Sequence, residues 1–194
     1  MTLRGPGRPR TLSRDRIVAE ARRIADEEGL GALTVRRVAQ RLGTGQASLY
    51  RHITDRGALL GLLADDVAAR LPRPADGVDD ARERLTRHWL AAHDHFLRHP
   101  WAARIIADGE HLAHGADDFA GAALDALETA GLSPDDAPRA YRALWNLLLG
   151  HILNTHPLGH TRTPPPPAPD ERSDFAWALR RLLDGVLGAG DVRN

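Results

Sequence analysis

The 194-residue chain contains no cysteine and no lysine. Without thiols there is no disulfide and no thiolate to act as nucleophile or metal ligand. Without lysine every basic side chain is an arginine, whose planar fork meets phosphate or guanine with paired hydrogen bonds where an ammonium offers a point charge. A composition rich in Arg, Ala, Gly and Pro accounts for the same absence, so it excludes little by itself. No run approaches the roughly 18 apolar residues of a membrane span. The opening MTLRGPGRPR is basic but has no apolar stretch, so no signal peptide is expected and the chain reads as cytoplasmic. No strand-period pattern of useful length and no internal repeat is present.

Hydrophobic residues make up 42% and charged residues 27%, ordinary for a chain that buries a core. The formal net charge is zero, but its distribution is not even. Residues 1–56 hold 12 arginines against 6 acids, and residues 57–194 hold 14 against 20. A basic front and an acidic remainder point to an N-terminal part that meets a polyanion.

Apolar spacing and capping residues predict about nine helices and an all-α fold. Residues 1–12 read as a disordered basic arm. A first helix opens at Ser13 and carries Ile17, Ala21, Ile24 and Ala25 as one stripe before Gly29. A second runs from Thr34 to about Leu42, burying Val35, Val38, Ala39 and Leu42. Gly43-Thr44-Gly45 forms a turn in which both glycines favour positive φ. A third short helix, about 46–52, turns Leu49 and Ile53 inward. Thr54 caps a fourth over roughly 55–70. Further helices are expected over about 79–98, 100–113, 116–130, 133–155 and 171–187, the penultimate one starting at Ser133-Pro134. Pro164 to Pro167 stiffen a loop over 157–170. The expected domains are 13–56 and 57–190.

The informative stretch is residues 33–60, LTVRRVAQRLGTGQASLYRHITDRGALL. Two short helices joined by a glycine turn, the second with a polar outward face, make a helix-turn-helix whose second member can lie in a major groove of double-stranded DNA. Ala47 and Ser48 are small enough for close approach to base edges. Gln46 can bond an adenine edge, and Arg36 or Arg37 can fork a guanine. Thr34, Tyr50, His52 and Arg56 are placed as phosphate clamps, with Thr44, Gly45 and Arg51 completing the expected interface. The segment resembles the DNA-binding domain of the tetracycline-repressor (TetR) family. The residues that carry the resemblance are Leu33, Thr34, Arg36, Val38, Ala39, Leu42, Gly43 and Thr44, then Ser48, Leu49, Tyr50, His52, Ile53, Arg56 and Leu59. Arg56 stands where the family pattern usually has lysine. The resemblance implies a larger helical domain in which the fourth to seventh helices enclose a small-molecule effector. It also implies that the last two helices pair with a second subunit.

In the C-terminal part, Trp89, His93, Phe96, Trp101, Ile105, His111, Phe119 and Trp145 are the candidate effector-binding residues, a set suited to an aromatic ligand. The candidate homodimer seam is Tyr141, Leu144, Leu148 and Ile152, with Phe175, Leu179, Leu182, Leu183 and Val186 on the last helix, where little chain remains to cover so much apolar face. His95/His99 and His111/His114 have spacings that can share a metal. No H-E-x-x-H occurs, so no metal site, cofactor or enzymatic activity is expected. The leading expectation is a ligand-responsive repressor, released from a palindromic operator by its effector. A metal-binding, histidine-rich enzyme domain and a constitutive DNA binder without effector are the other readings.

Overall fold

In a computed structural model of the chain, the described residues are 12–72, 80–109, 116–154 and 170–188. They are helical, with no strand among them. The chain divides into two compact units, Met1–Leu63 and Ala64–Asn194. The division falls seven residues beyond the expected boundary, inside a helix. The expected N-terminal arm and the proline-rich loop lie outside the described residues, except for their edge residues Leu12 and Asp170.

The first unit is built from α1 (Arg14–Glu28), α2 (Val35–Leu42), α3 (Gln46–Leu49) and the first part of α4 (Arg56–Ala68). Helices of eight and four residues are too short to hold themselves, so caps and packing must do it. Ser13 Oγ accepts the Arg16 N–H at 3.3 Å and Thr34 Oγ1 accepts the Arg37 N–H at 3.0 Å. Gly43, at φ 65°, closes α2. Its own N–H donates to Gln40 O, and the Thr44 N–H donates to Ala39 O at 3.0 Å. This Schellman closure needs the left-handed residue that glycine supplies. Gly45 sits at φ −76°, so the expected positive φ is taken by Gly43 alone. The third helix is shorter than expected, because residues 50–52 continue as a turn closed by His52 N–H to Leu49 O at 2.8 Å. Asp55, not Thr54, caps α4: its Oδ1 accepts the Ala58 N–H at 2.8 Å. A 3-10 turn at Leu30–Ala32, not anticipated from the sequence, links α1 to α2.

Ile17, Ala21, Ile24, Leu33, Val38, Leu49 and Ile53 form the core of this unit. Across it runs an ionic seam. Arg41 on α2 bonds the buried Glu20 at 2.8 Å and Glu27 at 2.7 Å, both on α1. Arg37 forks Glu28 through Nε and Nη2, the latter at 2.7 Å. Hydrogen bonding to the Arg37 guanidinium holds the Glu28 carboxyl below its usual range, and the bonds to Glu20 and Glu27 push the Arg41 guanidinium's pKa upward.

The second unit contains α5 (Ala81–Arg98), α6 (Pro100–Asp108), α7 (Asp117–Thr129), α8 (Ala137–Leu153) and α9 (Glu171–Gly188). Asp80 caps α5 through the Arg82 N–H at 2.8 Å. The sixth helix ends at Asp108, five residues short of expectation, because Gly109 turns left-handed at φ 66°. The eighth begins at Ala137 rather than at Ser133. Ser133 Oγ does accept the Asp136 N–H at 3.1 Å, but Pro138 has no N–H, so the regular ladder begins only around it. Helix α5 packs against α6, α7, α8 and α9. Two ion pairs set its register with α9. Arg82 meets Asp184 at one end, and Arg172 meets Asp94 at 2.9 Å at the other, so the two helices run antiparallel.

Burying α5 buries histidines. His88, His93 and His95 are all under a tenth exposed. Burial lowers the pKa of His88 to about 4 and, with help from the charges of His99, Arg98 and Arg70, that of His95 to about 4. Burial also lowers that of His93, next to His151, although Asp94 opposes the shift.

Two outcomes follow from these arrangements. Arg41→Ala removes a 2.8 Å partner of the buried carboxylate Glu20, which keeps Arg23 at 3.1 Å, and should cost about 1–3 kcal/mol in urea unfolding. Arg37→Ala, at an exposed pair, should cost under about 1 kcal/mol; the reverse order would contradict the seam as described. The second outcome concerns acid. Folded imidazoles with lowered pKa bind fewer protons than the unfolded chain, so stability is lost as pH falls from about 6.5 to about 4 and is insensitive to these groups above that window. The His88 contribution is on the order of 3 kcal/mol, and a pH series of melting temperatures should fall less steeply in His88→Phe.

Candidate functional site

Two arrangements stand out, one in each unit. In the first, α2, the Gly43 turn and α3 present a polar surface over a fixed floor. Leu49 and Ile53 are buried, which pins the short helix, and Gln46, Ala47, Tyr50, Arg51 and His52 are turned outward. Tyr50 is 53% exposed, far more than packing requires of a tyrosine. Thr44 and Ser48 are half-buried at the edge of this surface, and Gly45 caps α3 in an extended conformation. Arg36 is exposed in the first turn of α2.

Two expected contacts are employed differently. Arg37 was expected to be available to a guanine, but its fork is filled by Glu28. Arg56 was expected as a phosphate clamp, but its Nε donates to Leu33 O and its Nη2 to Leu30 O, both at 3.0 Å. Those bonds tether the start of α4 to the 3-10 turn ahead of α2. Nothing in the sequence distinguishes Arg36 from Arg37. Only the position of Glu28 on a neighbouring helix does.

In the second unit Trp89, Phe96, Phe119 and Trp145, four of the expected effector residues, come together as an aromatic core. Trp89 lies 5.5 Å from Phe119, 5.7 Å from Tyr141 and 6.1 Å from Trp145, by ring centroids. Phe96 joins through Trp145 at 6.2 Å. Trp101 and Ile105 are buried on α6, Trp101 beside His99 at 5.9 Å. His93 stacks on Phe175 at 4.3 Å with planes 8° apart. His111 lies outside the described residues. Two further members of the core are His88, stacked on Phe119 at 3.9 Å, and Tyr141, a half-buried residue of the expected dimer seam. Burial pushes the Tyr141 phenol up to about 12, so it is a neutral hydroxyl. A separate groove of about 730 Å³ runs between the α7–α8 turn and the end of α9, beside Leu132, Arg139, Ala143 and Val186, and shares no lining residue with the aromatic core.

The expected dimer seam needs correction. Leu144, Leu148, Phe175, Leu179 and Leu183 are fully buried within one chain, so they have no surface left to offer a second. Their cover is α5 and the facing sides of α8 and α9. Ile152, Leu182 and Val186 remain half-buried, and Trp177, which the sequence reading passed over, is 57% exposed on α9 with Arg181 6.0 Å from its ring. Among the described residues no group of three or more histidines and acids is placed to hold a metal ion, and no helix is long and apolar enough to cross a membrane.

Comparison with known proteins agrees with this geometry. Residues 17–62 match the family described as bacterial regulatory proteins, tetR family. The chain is 40% identical over 134 residues to the HTH-type transcriptional repressor DrrR1 of Streptomyces coeruleorubidus, which covers 67% of this chain but only 48% of that protein. The chain thus spans about half the length of that relative. With the class A tetracycline repressor protein from transposon 1721 of Escherichia coli it shares 32% identity over 92% of this chain and 83% of the other. Among solved structures, ActR from Streptomyces coelicolor in complex with actinorhodin superposes with a TM-score of 0.80 at 26% identity, covering 93% of this chain and 98% of that one. The chain belongs to the TetR family of bacterial regulatory proteins.

Proposed function

We propose that the chain is an effector-responsive transcription regulator, a repressor that binds a palindromic duplex as a symmetric pair and lets go when a small molecule occupies the core of the second unit. The observation that carries this reading is the outward face of Gln46, Ala47, Tyr50, Arg51 and His52 over the buried Leu49 and Ile53. A buried floor with an exposed polar roof on a short helix after a glycine turn is what a major groove accepts. The names of the relatives, a transcriptional repressor and a tetracycline repressor, support the activity, and the ActR–actinorhodin complex supports a small-molecule effector.

Residue roles follow from exposure and partners. Gln46 and Arg36 are the base readers, because both are exposed near the starts of their helices and neither is held by a carboxylate among the described residues. Ala47 and Ser48 permit approach. Tyr50, Arg51, His52 and the Thr34 and Thr44 hydroxyls fall to phosphate, which fixes register without reading sequence. Arg37 and Arg56 position α2 and α4 rather than touching DNA. Two such faces must stand about 34–36 Å apart to enter successive grooves. The pairing surface is built from Trp177, Leu182, Val186 and Ile152. Helix α4 carries the chain from one unit to the other, so an effector acts on DNA affinity through it. The effect is limited to the effector's differential affinity for the two states, typically 1–3 kcal/mol.

Gel shifts on DNA from upstream of the chain's own gene, against random duplex over a salt series, test this reading. Arg36→Ala should relax discrimination at one base pair by about 1–3 kcal/mol. Arg51→Ala should weaken all duplexes alike and reduce the salt slope by about one. Arg37→Ala should change neither. Absence of any preference over random duplex at every salt concentration would end the proposal.

A further inference from the structure

Helix α5 meets α8 and α9 around two histidines that lie far apart in the sequence. His93 on α5 and His151 on α8 have ring centroids 5.1 Å apart, with planes 55° apart. Phe175 on α9 completes the cluster. It stacks on His93 at 4.3 Å with planes 8° apart and lies 5.4 Å from His151. The stack fixes the plane of the His93 ring, which is fully buried with neither nitrogen hydrogen-bonded. Unmatched nitrogens also occur at His88 and His95, so a missing partner by itself marks nothing. What sets His93 apart is what stands beside it.

The first neighbour is the second imidazole. An ion of the zinc class sits roughly 2.0–2.1 Å from a ligating nitrogen and hence about 3.2 Å from the ring centre. Two imidazoles sharing it at a tetrahedral angle therefore have centroids about 5.2 Å apart. The His93–His151 pair has that separation. The other neighbour is a carboxylate. Asp94 Oδ1 lies 3.8 Å from His93 Nδ1, and Arg172 Nε holds both Asp94 oxygens, at 2.9 and 3.2 Å. A carboxylate facing one nitrogen of a ligating histidine fixes the tautomer and raises the basicity of the other nitrogen. The His93 proton then belongs on Nδ1 and the lone pair on Nε2. Burial, with His151 and Arg172 adding to it and Asp94 opposing, lowers the His93 pKa, so few protons compete for that lone pair at physiological pH. His95 and His99 have a similar separation, 5.3 Å with planes 59° apart. There the charges of Arg98 and Arg70 act on His95 and repel a cation.

We propose that His93 and His151 together bind one divalent transition-metal ion of the zinc class, bridging α5 and α8, with Asp94 as the residue that positions His93. Imidazole nitrogen suits zinc, nickel and copper, whereas magnesium and calcium prefer oxygen. Among the described residues no group of three or more histidines and acids is placed to hold an ion, so water takes the other coordination positions. His151 is half-buried and gives water and the ion their way in. The ion adds a link between α5 and α8 beside the Arg172–Asp94 pair, which already ties α5 to α9. Binding there is independent of the regulatory reading.

The test is equilibrium dialysis of the full chain, first stripped with EDTA, against zinc chloride, with magnesium chloride as the oxygen-preferring control and melting temperature as a second readout. The wild type should hold one more equivalent of zinc than His93→Phe, and should bind it at least about tenfold more tightly than magnesium. His93→Phe keeps the stack on Phe175 and removes both nitrogens. Without metal it should melt no lower than the wild type, and it should lose the rise in melting temperature that zinc gives the wild type. His151→Ala, at a half-buried position, should lose the same equivalent whatever the fate of His93→Phe. Asp94→Asn should weaken zinc by about 10–100-fold without abolishing it. His95→Phe should bind as the wild type does. Equal zinc uptake by the wild type, His93→Phe and His151→Ala would overturn the site. So would loss of the equivalent in only one of those two variants, or its loss in His95→Phe instead.

Discussion

Helix α5 touches every other helix in its unit, α6 to α9, and its burial is the constraint from which the rest of that unit follows. The buried face of a helix packed against four others would ordinarily be apolar. This one carries His88, His93 and His95 among Leu85, Trp89, Ala92 and Phe96. The imidazoles stay inside because they are uncharged and because aromatic faces receive them: His88 lies on Phe119 and His93 on Phe175. The helix is then fixed lengthwise by its two ion pairs with α9, at Arg82–Asp184 and Asp94–Arg172, which leave little freedom of register. A rigidly placed set of neutral, polar rings is a different object from an oily core. It has directional valences, and those valences face inward.

The first unit solves another problem with the same residue type. An arginine-only surface invites every cation to be counted as a DNA contact, yet Arg37 and Arg41 hold α2 to α1, and Arg56 ties the start of α4 to the 3-10 turn ahead of α2. Three glutamates of α1 decide the allocation. Glu20 and Glu27 take Arg41, and Glu28 takes Arg37. The result is that an eight-residue helix and a four-residue helix, neither of which could persist alone, are held firmly enough to present side chains at defined positions. Arg36 and Arg51, exposed and without such a partner among the described residues, are left for the outside. The count of arginines over residues 1–56 therefore overstates how many guanidinium forks a polyanion meets.

These allocations mark the limit of what the sequence could reveal. Local signals held up: Ser13 and Thr34 as caps, Gly43 as the turn residue, and Leu49 and Ile53 as the floor of the recognition face all depend on neighbours within a few residues. Signals that depend on a distant partner did not. Phe175, Leu179 and Leu183 form a clear apolar stripe, but a stripe does not say what covers it, and the cover is α5 of the same chain rather than a second subunit. Arg36 and Arg37 are identical as letters and differ only because Glu28 is near one of them. Ser133-Pro134 has the signature of a helix start, which Pro138 overrides by removing a donor four residues on. His88 was passed over because a histidine in an apolar stretch carries no mark of whether it is satisfied. Only the surroundings of its two nitrogens reveal that.

An incomplete core also has a thermodynamic consequence. Each buried nitrogen without a partner lowers the stability of the protein by roughly 1–3 kcal/mol relative to a paired one, a deficit that any ligand pairing it would recover. A ligand bound only by the folded chain stabilises it by about 2.7 kcal/mol when present at a hundred times its dissociation constant. The unmatched nitrogens of Arg84, His88, Trp89, His93 and His95 on α5 therefore lie where a stability deficit can be exchanged for selectivity. An all-hydrocarbon core would make a sturdier unit but would recognise shape alone, and shape alone discriminates weakly between molecules that differ by a hydroxyl.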